Sequence, residues 1–219
     1  MVFILNIETA TKNCSVALHQ NGVLLKCKEM ATENFSHAEK LHTFIEDLLS
    51  ETNVSLSALN AIAVSEGPGS YTGLRIGVST AKGLAYSLDI PLISVPTLEI
   101  LAKKLTIKNG YILPMIDARR LEVFVAFYDK NYNQIVPTKA EIIDENSYAD
   151  FHETMHLIGD GASKFKTILT DPKFVYHPEL VFPSAIEMGV ISFEKFKQNL
   201  FVDVAYFEPF YLKDFLLIK

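Results

Sequence analysis

The order of the elements predicted from the sequence is the feature that most restricts the fold. An apolar strand at Phe3–Ile7, a hairpin with Asn-Gly at its tip, a helix, a buried strand at Ala61–Ser65 and further helices fill the first hundred residues. A similar order begins again at Tyr111–Ile116. Because alternating strands and helices build parallel sheets with helices on their faces, we expect two related α/β units. The predicted subdomains are residues 1–100 and 101–219.

Hydrophobic periodicity and turn signals predict the remaining elements. In the first unit these are strands Ser15–His19, Val23–Glu29 and Leu92–Val95 and helices Ser36–Ser50, Gly73–Leu88 and Thr97–Leu105. In the second unit they are strands Glu122–Asp129, Gln134–Pro137 and Met155–Gly159 and helices near Asp144–Phe151, Ala162–Leu169 and Ser184–Asn199. The stretch between Pro172 and Pro183 is predicted as a loop, and the apolar end, Phe215–Ile218, as a closing strand.

The first hairpin also predicts the state of the two cysteines. A two-residue turn at Asn21-Gly22 places Cys14 opposite Glu29 and Val16 opposite Cys27. The cysteines are then diagonal neighbours, which is a poor geometry for a disulfide, and we expect free thiols.

Charge and hydropathy exclude two classes of function. The formal net charge is −6 and the sequence contains no run of Lys or Arg, so the chain lacks the basic face with which proteins hold RNA unaided. Its apolar runs are shorter than the roughly 20 residues that span a bilayer, and the N-terminus resembles a first strand rather than a signal peptide. We therefore expect a cytoplasmic protein without a membrane contact.

A glycine-rich junction between a strand and a helix is the most distinctive motif. Residues 65–77 read SEGPGSYTGLRIG, which lacks the Gly-Lys-Ser/Thr ending of a phosphate-binding Walker A loop. Free N–H groups at a helix start still bind anions, so an anion site remains one interpretation. Tight turning and close packing without a ligand is the other, with Ser70 or Thr72 capping the helix.

The helix after this loop carries two seams of apolar or small residues. The first consists of Leu74, Val78, Ala81, Ala85 and Leu88, and the second of Gly73, Gly77, Thr80 and Leu84. We expect one seam to pack on the sheet. The second is predicted to contact a partner helix, with purely internal packing as the alternative.

Five blocks of the sequence resemble the TsaB (YeaZ) family. They are ILNIETATKNCSVAL, SEGPGSYTGLRIGVSTAKGLA, IPLISVPTLEIL, MIDARRLEVFVAFY and EPFYLK, and the resemblance is weakest between residues 130 and 205. It implies an actin-like ATPase (ASKHA) fold of two ribonuclease H-like halves. It also implies a non-catalytic subunit that supports the TsaD transferase in making threonylcarbamoyladenosine at position 37 of tRNA.

The resemblance also indicates what this chain lacks. Thr97 and Leu101 stand where the catalytic relative has a metal-binding histidine pair, so no metal is expected. Residues 117–120 stand at its second phosphate loop without a glycine. Arg119 and Arg120 could bind an anion there through their side chains, or Arg119 could pair with Asp117. The residues assigned to an incomplete nucleotide site are Glu8, Thr9, Thr11, Gly67, Gly69, Ser70, Gly159 and Gly161.

Partners follow from the resemblance and from the second seam. The predicted contact with the TsaD-type subunit comprises Leu41, Ile45, Gly73, Leu74, Gly77, Val78, Thr80, Ala81 and Leu84. A TsaE-type ATPase is a further expected partner, and the chain alone is expected to form a homodimer through the same face. Contact with tRNA is expected only through the complex. No cofactor is required by this chain, and ATP or ADP at the complex interface is left open.

One motif favours a different function. His152-Glu153-Thr154-Met155-His156 matches HExxH, the helical zinc-peptidase motif, and a zinc-dependent peptidase is the alternative hypothesis. The motif requires a helix, whereas the residues after His156 predict a strand and a turn. His37 and His42 are predicted to face solvent.

Overall fold

The computed structural model describes residues 1–32 and 37–213, whose strands form two five-stranded sheets. The first sheet has the order β3-β2-β1-β4-β5, with β1 (Phe3–Glu8), β2 (Asn13–Gln20), β3 (Val23–Ala31), β4 (Ala61–Gly67) and β5 (Leu92–Pro96). The second has the order β8-β7-β6-β9-β10, with β6 (Tyr111–Asp117), β7 (Glu122–Tyr128), β8 (Gln134–Ile142), β9 (Met155–Ile158) and β10 (Phe174–Tyr176). In both, three antiparallel strands are followed by two parallel ones. The repeated order of strands predicted from the sequence is thus confirmed.

Within residues 1–32 and 37–213, four α-helices pack on the two sheets. They are α1 (His37–Thr52), α2 (Tyr71–Leu88), α3 (Thr97–Ala102) and α4 (Ala185–Lys197). Helices α1 and α2 pack on one face of the first sheet and α4 on the other. Helix α3 packs against β6 and β7 of the second sheet. Within the described ranges, no helix combines the length and the apolar character needed to cross a membrane.

The second unit contains less helix than the sequence predicts. Residues 145–150 form turns, because the Asp144 carboxylate accepts hydrogen bonds from the backbone N–H of Asn146 and from the Ser147 hydroxyl, and Tyr148 has a positive φ of 67°. The helix predicted to run to Leu169 is a 3-10 helix, Ala162–Phe165. Strand β8 extends beyond the predicted Pro137, and β10 lies in the predicted loop.

Two predicted features fall on parts of the chain that the structure does not describe. Ser36, the expected cap of α1, and the expected closing strand Phe215–Ile218 lie outside the described residues.

The C-terminal part of the chain returns to the first sheet. Ala185, Met188 and Ile191 of α4 are buried against strands of that sheet, and Val202, Val204 and Phe207 pack on its opposite face. The predicted boundary assigns all of residues 101–219 to the second subdomain, but these segments complete the core of the first.

A β-bulge changes the predicted register of the first hairpin. Asn21 and Gly22 adopt the expected positive φ angles, 50° and 80°. The register then shifts between Leu18 and His19, so Cys14 pairs with Met30, and Ala17 with Cys27. A shift by one residue reverses the face of every later side chain. Cys14 therefore lies in the core under α1 and α2, and Cys27 packs under α4.

Both thiols are free, as predicted, although the pairing expected for them is wrong. Burial raises the pKa of Cys14 to about 11 and that of Cys27 to about 12, so both remain protonated at neutral pH.

Candidate functional site

The glycine-rich loop packs directly on the turn that follows β1. A Cβ atom added to Gly69 would collide with Ala10, and one added to Gly73 or Gly77 would collide with Thr9. Gly67 has a φ of 116° and lies against the backbone of Phe210. These glycines are therefore required for close packing between two loops, which is the second of the two interpretations of the motif.

Several polar groups at this junction are hydrogen-bonded to other groups of the chain. The Ala10 N–H donates to Glu8 Oε1 at 2.6 Å, and the Ser70 N–H donates to the Ala10 carbonyl at 2.7 Å. The Gly67 N–H donates to Thr97 Oγ1 at 3.1 Å, and Thr9 Oγ1 donates to a carbonyl in α2 at 2.8 Å. Groups that would face a phosphate in a nucleotide-binding loop are thus occupied by the chain itself.

Glu8 is the most perturbed acid of this cluster. Its side chain is fully buried, and burial raises its pKa to about 8, with a smaller contribution from Glu187 in the same direction. The Ser65 hydroxyl and Lys104 act in the opposite direction. The carboxyl group is therefore largely neutral at pH 7, which makes it a poor ligand for a cation.

Thr11 connects the turn after β1 to the first residue of α1. His37 Nε2 donates to the Thr11 carbonyl at 2.7 Å, and His37 is only 1% exposed. The prediction that His37 faces solvent is therefore wrong, whereas His42 is exposed as predicted. Burial lowers the pKa of His37, so the imidazole is a neutral structural donor.

A second polar cluster lies at the ends of β6 and β9. Asp160 Oδ1 accepts from the Asp117 N–H at 3.0 Å, and Lys164 Nζ forms an ion pair with Asp117 at 2.6 Å. Lys164 also donates to the carbonyls of Arg120 and Glu122 at 2.8 and 3.1 Å. A lysine and an aspartate of the same chain thus occupy the position predicted for a degenerate phosphate loop.

The same contacts bear on the remaining predictions for this second loop. Asp117 accepts from the backbone N–H of Arg119 at 2.7 Å, so its charged partner is Lys164 rather than the Arg119 guanidinium. Gly159 and Gly161 pack against Met115, and their N–H groups donate to Leu180 and Met115 carbonyls. Lys164 carries no sequence signal beyond its charge, and sequence reasoning missed it.

The structure does not support a zinc peptidase. His152 lies in an exposed loop and His156 on β9, so the helix required by the HExxH motif is absent from this described segment. Within the described ranges, no group of three or more His, Cys, Asp or Glu side chains is placed to hold a metal ion. Thr97 and Leu101 are both fully buried.

Most residues of the predicted partner contact are enclosed by the chain itself. The buried ones are Leu41, Ile45, Gly73, Leu74, Gly77, Val78 and Ala81. Thr80 and Leu84 are half-buried and remain available to a partner. The predicted second seam of α2 therefore packs inward at its N-terminal end, because Gly73 and Gly77 contact Thr9.

A different stripe of α2 faces outward. It consists of Thr72, Ile76, Ser79, Gly83 and Tyr86, all exposed except the half-buried Ile76, and is called the outer stripe below. No described atom lies within 4 Å of the position that a Cβ of Gly83 would occupy. Tyr86 is 82% exposed.

The other side of α2 is covered by the C-terminal segment. Lys82 donates to the carbonyls of Ala205 and Phe207 at 3.0 and 2.8 Å. Arg75 donates to the Tyr211 hydroxyl at 3.3 Å. Arg75 and Lys82, which border the outer stripe, are therefore already hydrogen-bonded to the C-terminal segment.

Comparison with known structures identifies the fold. YeaZ from Pseudomonas aeruginosa superposes with a TM-score of 0.82 at 28% identity, covering 97% of this chain and all of that one. The ethanolamine utilization protein EutJ from Carboxydothermus hydrogenoformans has a TM-score of 0.51 at 10% identity, which bears on the fold alone. The two duplicated sheets and the similarity to YeaZ agree with the predicted actin-like ATPase fold of two ribonuclease H-like halves.

Sequence comparison identifies the family. Residues 30–206 match the family model described as "TsaD: tRNA N6-adenosine threonylcarbamoyltransferase". The tRNA threonylcarbamoyladenosine biosynthesis protein TsaB of Escherichia coli strain K12 is 34% identical over 96% of this chain and 94% of its own length. The TsaB protein of Bacillus subtilis is 37% identical over 61% of this chain and 59% of its own length. This chain belongs to the TsaB (YeaZ) family.

Proposed function

We propose that this chain is a non-catalytic subunit of the tRNA N6-threonylcarbamoyladenosine synthesis complex. It acts in the cytoplasm by binding a TsaD-type transferase and supporting its activity. The observation that carries the proposal is the filling of both loop clusters by the chain's own atoms, in a protein that is similar to TsaB over almost its full length. A protein that has the fold of a nucleotide-binding enzyme but no open phosphate site is typical of a subunit that contributes a binding surface to a complex.

The similarity to the transferase supports the choice of partner. A tRNA N6-adenosine threonylcarbamoyltransferase of Bacillus thuringiensis is 35% identical over 107 residues, which is 42% of this chain and 31% of that protein. Two related folds can pair through equivalent helices, as the two copies of a symmetric dimer do. The proposed contact is the outer stripe of α2, together with Thr80, Leu84 and the exposed side of α1.

Gly83 is the central residue of this proposed contact. A glycine in the interior of an exposed helix destabilises it by roughly 1 kcal/mol relative to alanine. Nothing described in this chain packs against Gly83, so internal packing does not account for it. A partner helix that approaches the backbone closely does account for it, and Tyr86, one turn away, supplies an exposed aromatic anchor.

The test is a substitution that blocks this approach without entering the core. We expect Gly83→Arg to weaken co-purification with the TsaD-type subunit of the same organism by about tenfold or more, because the side chain fills the contact. In a strain that depends on this chain, the threonylcarbamoyladenosine content of tRNA should fall in parallel. Gly83→Ala and the exposed hairpin variant Asn131→Arg are the matched controls. Gly77→Arg is unsuitable, because it would collide with Thr9.

The subunit role and the location of the contact are two separate parts of the proposal, and different results would contradict each. If the wild-type chain neither co-purifies with the transferase nor restores the modification, the subunit role is wrong. If Gly83→Arg behaves as wild type in both assays, the role stands and the contact lies elsewhere.

A TsaE-type ATPase as a third component and a homodimer through the outer stripe belong to the same proposal. Light scattering of the wild type and Gly83→Arg tests the homodimer.

ATP or ADP is proposed to bind only at the interface of the complex. The isolated chain should show no heat of ATP binding in calorimetry, since the N–H groups of Gly67, Ser70 and Asp117 in these loops already have acceptors. The assembled complex should bind nucleotide in the same assay. Stoichiometric ATP binding by the isolated chain would contradict this assignment.

A further inference from the structure

Two histidines outside the loop clusters face each other across the edge of the second sheet. His156 lies on β9, and His177 directly follows β10, whose last residue, Tyr176, pairs with Leu157. His156 Nδ1 and His177 Nε2 are 3.0 Å apart, and the ring centroids are separated by 5.3 Å at an interplanar angle of 34°. The two ring nitrogens therefore face each other at hydrogen-bond distance.

A carboxylate lies near the outer nitrogen of His177, the one that does not face His156. His177 Nδ1 is 3.6 Å from Glu179 Oε1. Metal-ligating histidines commonly donate their second N–H to a carboxylate in this way. The relation between Glu179 and His177 is therefore that of an outer acceptor to a ligand.

We propose that His156 Nδ1 and His177 Nε2 form a binding site for a divalent transition-metal ion such as Ni²⁺ or Cu²⁺. Metal–nitrogen distances are about 2.0–2.1 Å, so two ligands at a right angle lie about 2.9 Å apart. The observed separation of 3.0 Å fits neighbouring positions in a square or octahedral arrangement. Without the ion, the two rings share a proton. The ion replaces this proton, and both half-buried rings rotate so that their nitrogen lone pairs point to the ion.

Access also favours this site. His177 borders a cavity of about 150 Å³, which has room for water molecules as further ligands. Asp160 and Lys166 also line this cavity and contribute charges of opposite sign.

The proposal is independent of the subunit role and differs from the peptidase hypothesis. Its ligands are His156 and His177, whereas the HExxH motif would require His152, which lies in the exposed loop before β9. Two protein ligands define a weaker site than the groups of three or more, which are lacking among the described residues.

Calorimetry of the metal-stripped full chain with Ni²⁺ tests the site. We expect one equivalent to bind to the wild type and to the control variants His152→Gln and His42→Gln. His177→Gln should abolish stoichiometric binding. Glu179→Gln should weaken it by about tenfold, the usual effect of removing an outer acceptor. Circular dichroism confirms that each variant is folded.

A second measurement covers the case in which His177→Gln does not fold. Paramagnetic Ni²⁺ added to the wild type should broaden the ring resonances of His156 and His177 before those of the other four histidines. Absence of stoichiometric binding by the wild type, unchanged binding by a folded His177→Gln, or first broadening at other histidines would each overturn the proposal.

Discussion

At the scale of single residues, the glycine-rich loop is explained by what lies beneath it. Gly69, Gly73 and Gly77 recur at four-residue spacing and contact two consecutive residues, Thr9 and Ala10. The sequence indicates that these positions cannot carry side chains. It does not indicate whether a phosphate or another part of the chain fills the space, because that depends on which loop the fold brings there.

Glu8 gives a prediction at the same scale. Its pKa is raised by burial to about 8, so the folded chain holds a proton over a pH range in which the unfolded chain has lost it. The free energy of unfolding should therefore fall as the pH rises from about 4.5 to about 8, by at most about 1.4 kcal/mol per pH unit. Glu8→Gln keeps the shape and removes this titration. Urea unfolding at several pH values should show a flatter profile for the variant, with the variant more stable than wild type above pH 8.

The control for this experiment is Glu39→Gln, an exposed carboxyl group in the first turn of α1. It should leave the pH profile unchanged. If Glu8→Gln retains the wild-type dependence, Glu8 is not the group responsible.

At the scale of elements, α2 begins two residues before the predicted Gly73. Ser70 is its N-cap, and the Ser70 hydroxyl accepts from the Gly73 N–H at 3.3 Å. The choice between Ser70 and Thr72 as the cap was open from the sequence, because both hydroxyls precede the apolar repeat at suitable distances.

Loss of this cap should destabilise the helix and the loop together. We expect Ser70→Ala to lower the free energy of unfolding by about 1 kcal/mol. Ser70→Asp should retain most of the wild-type free energy of unfolding, because aspartate also caps helices. Thr72→Ala, at an exposed position within the helix, is the matched control. Equal stability of Ser70→Ala and wild type in urea titrations would show that the hydroxyl contributes nothing.

The hairpin and the second unit show where element prediction fails. The turn Asn21-Gly22 was predictable from its residues alone, but the bulge beyond it depends on how the strand fits between two cores. Residues 144–151 have a helical pattern, yet the Asp144 side chain competes for the backbone and Tyr148 packs on Phe127. Local pattern and tertiary packing disagree there, and packing prevails.

At the scale of the whole molecule, the charge distribution bears on how tRNA is reached. The chain has a net charge of −6 and no cluster of basic residues in its sequence. Phosphate neutralisation supplies most of the affinity of proteins for nucleic acid, so a partner must supply the positive charge.

The isolated chain is therefore expected not to retain tRNA in a gel-shift assay at about 0.15 M salt, whereas its complex with the transferase should. An unrelated acidic protein of similar size serves as the control. Binding by the isolated chain that weakens steeply with salt would contradict this expectation and indicate a basic surface formed by the fold.

The sequence by itself determined the duplicated order of strands, the first hairpin turn, the family and the positions where only glycine fits, because each depends on neighbouring residues or on a specific motif. Only the tertiary structure decided what occupies the loops and which stripe of α2 faces outward. It also decided that α4 packs on the first sheet and completes its core. It also brought His156 beside His177, which are 21 residues apart in the chain. These features arise from contacts between distant segments, and such contacts depend on the packing of the whole chain rather than on the pattern of any one segment.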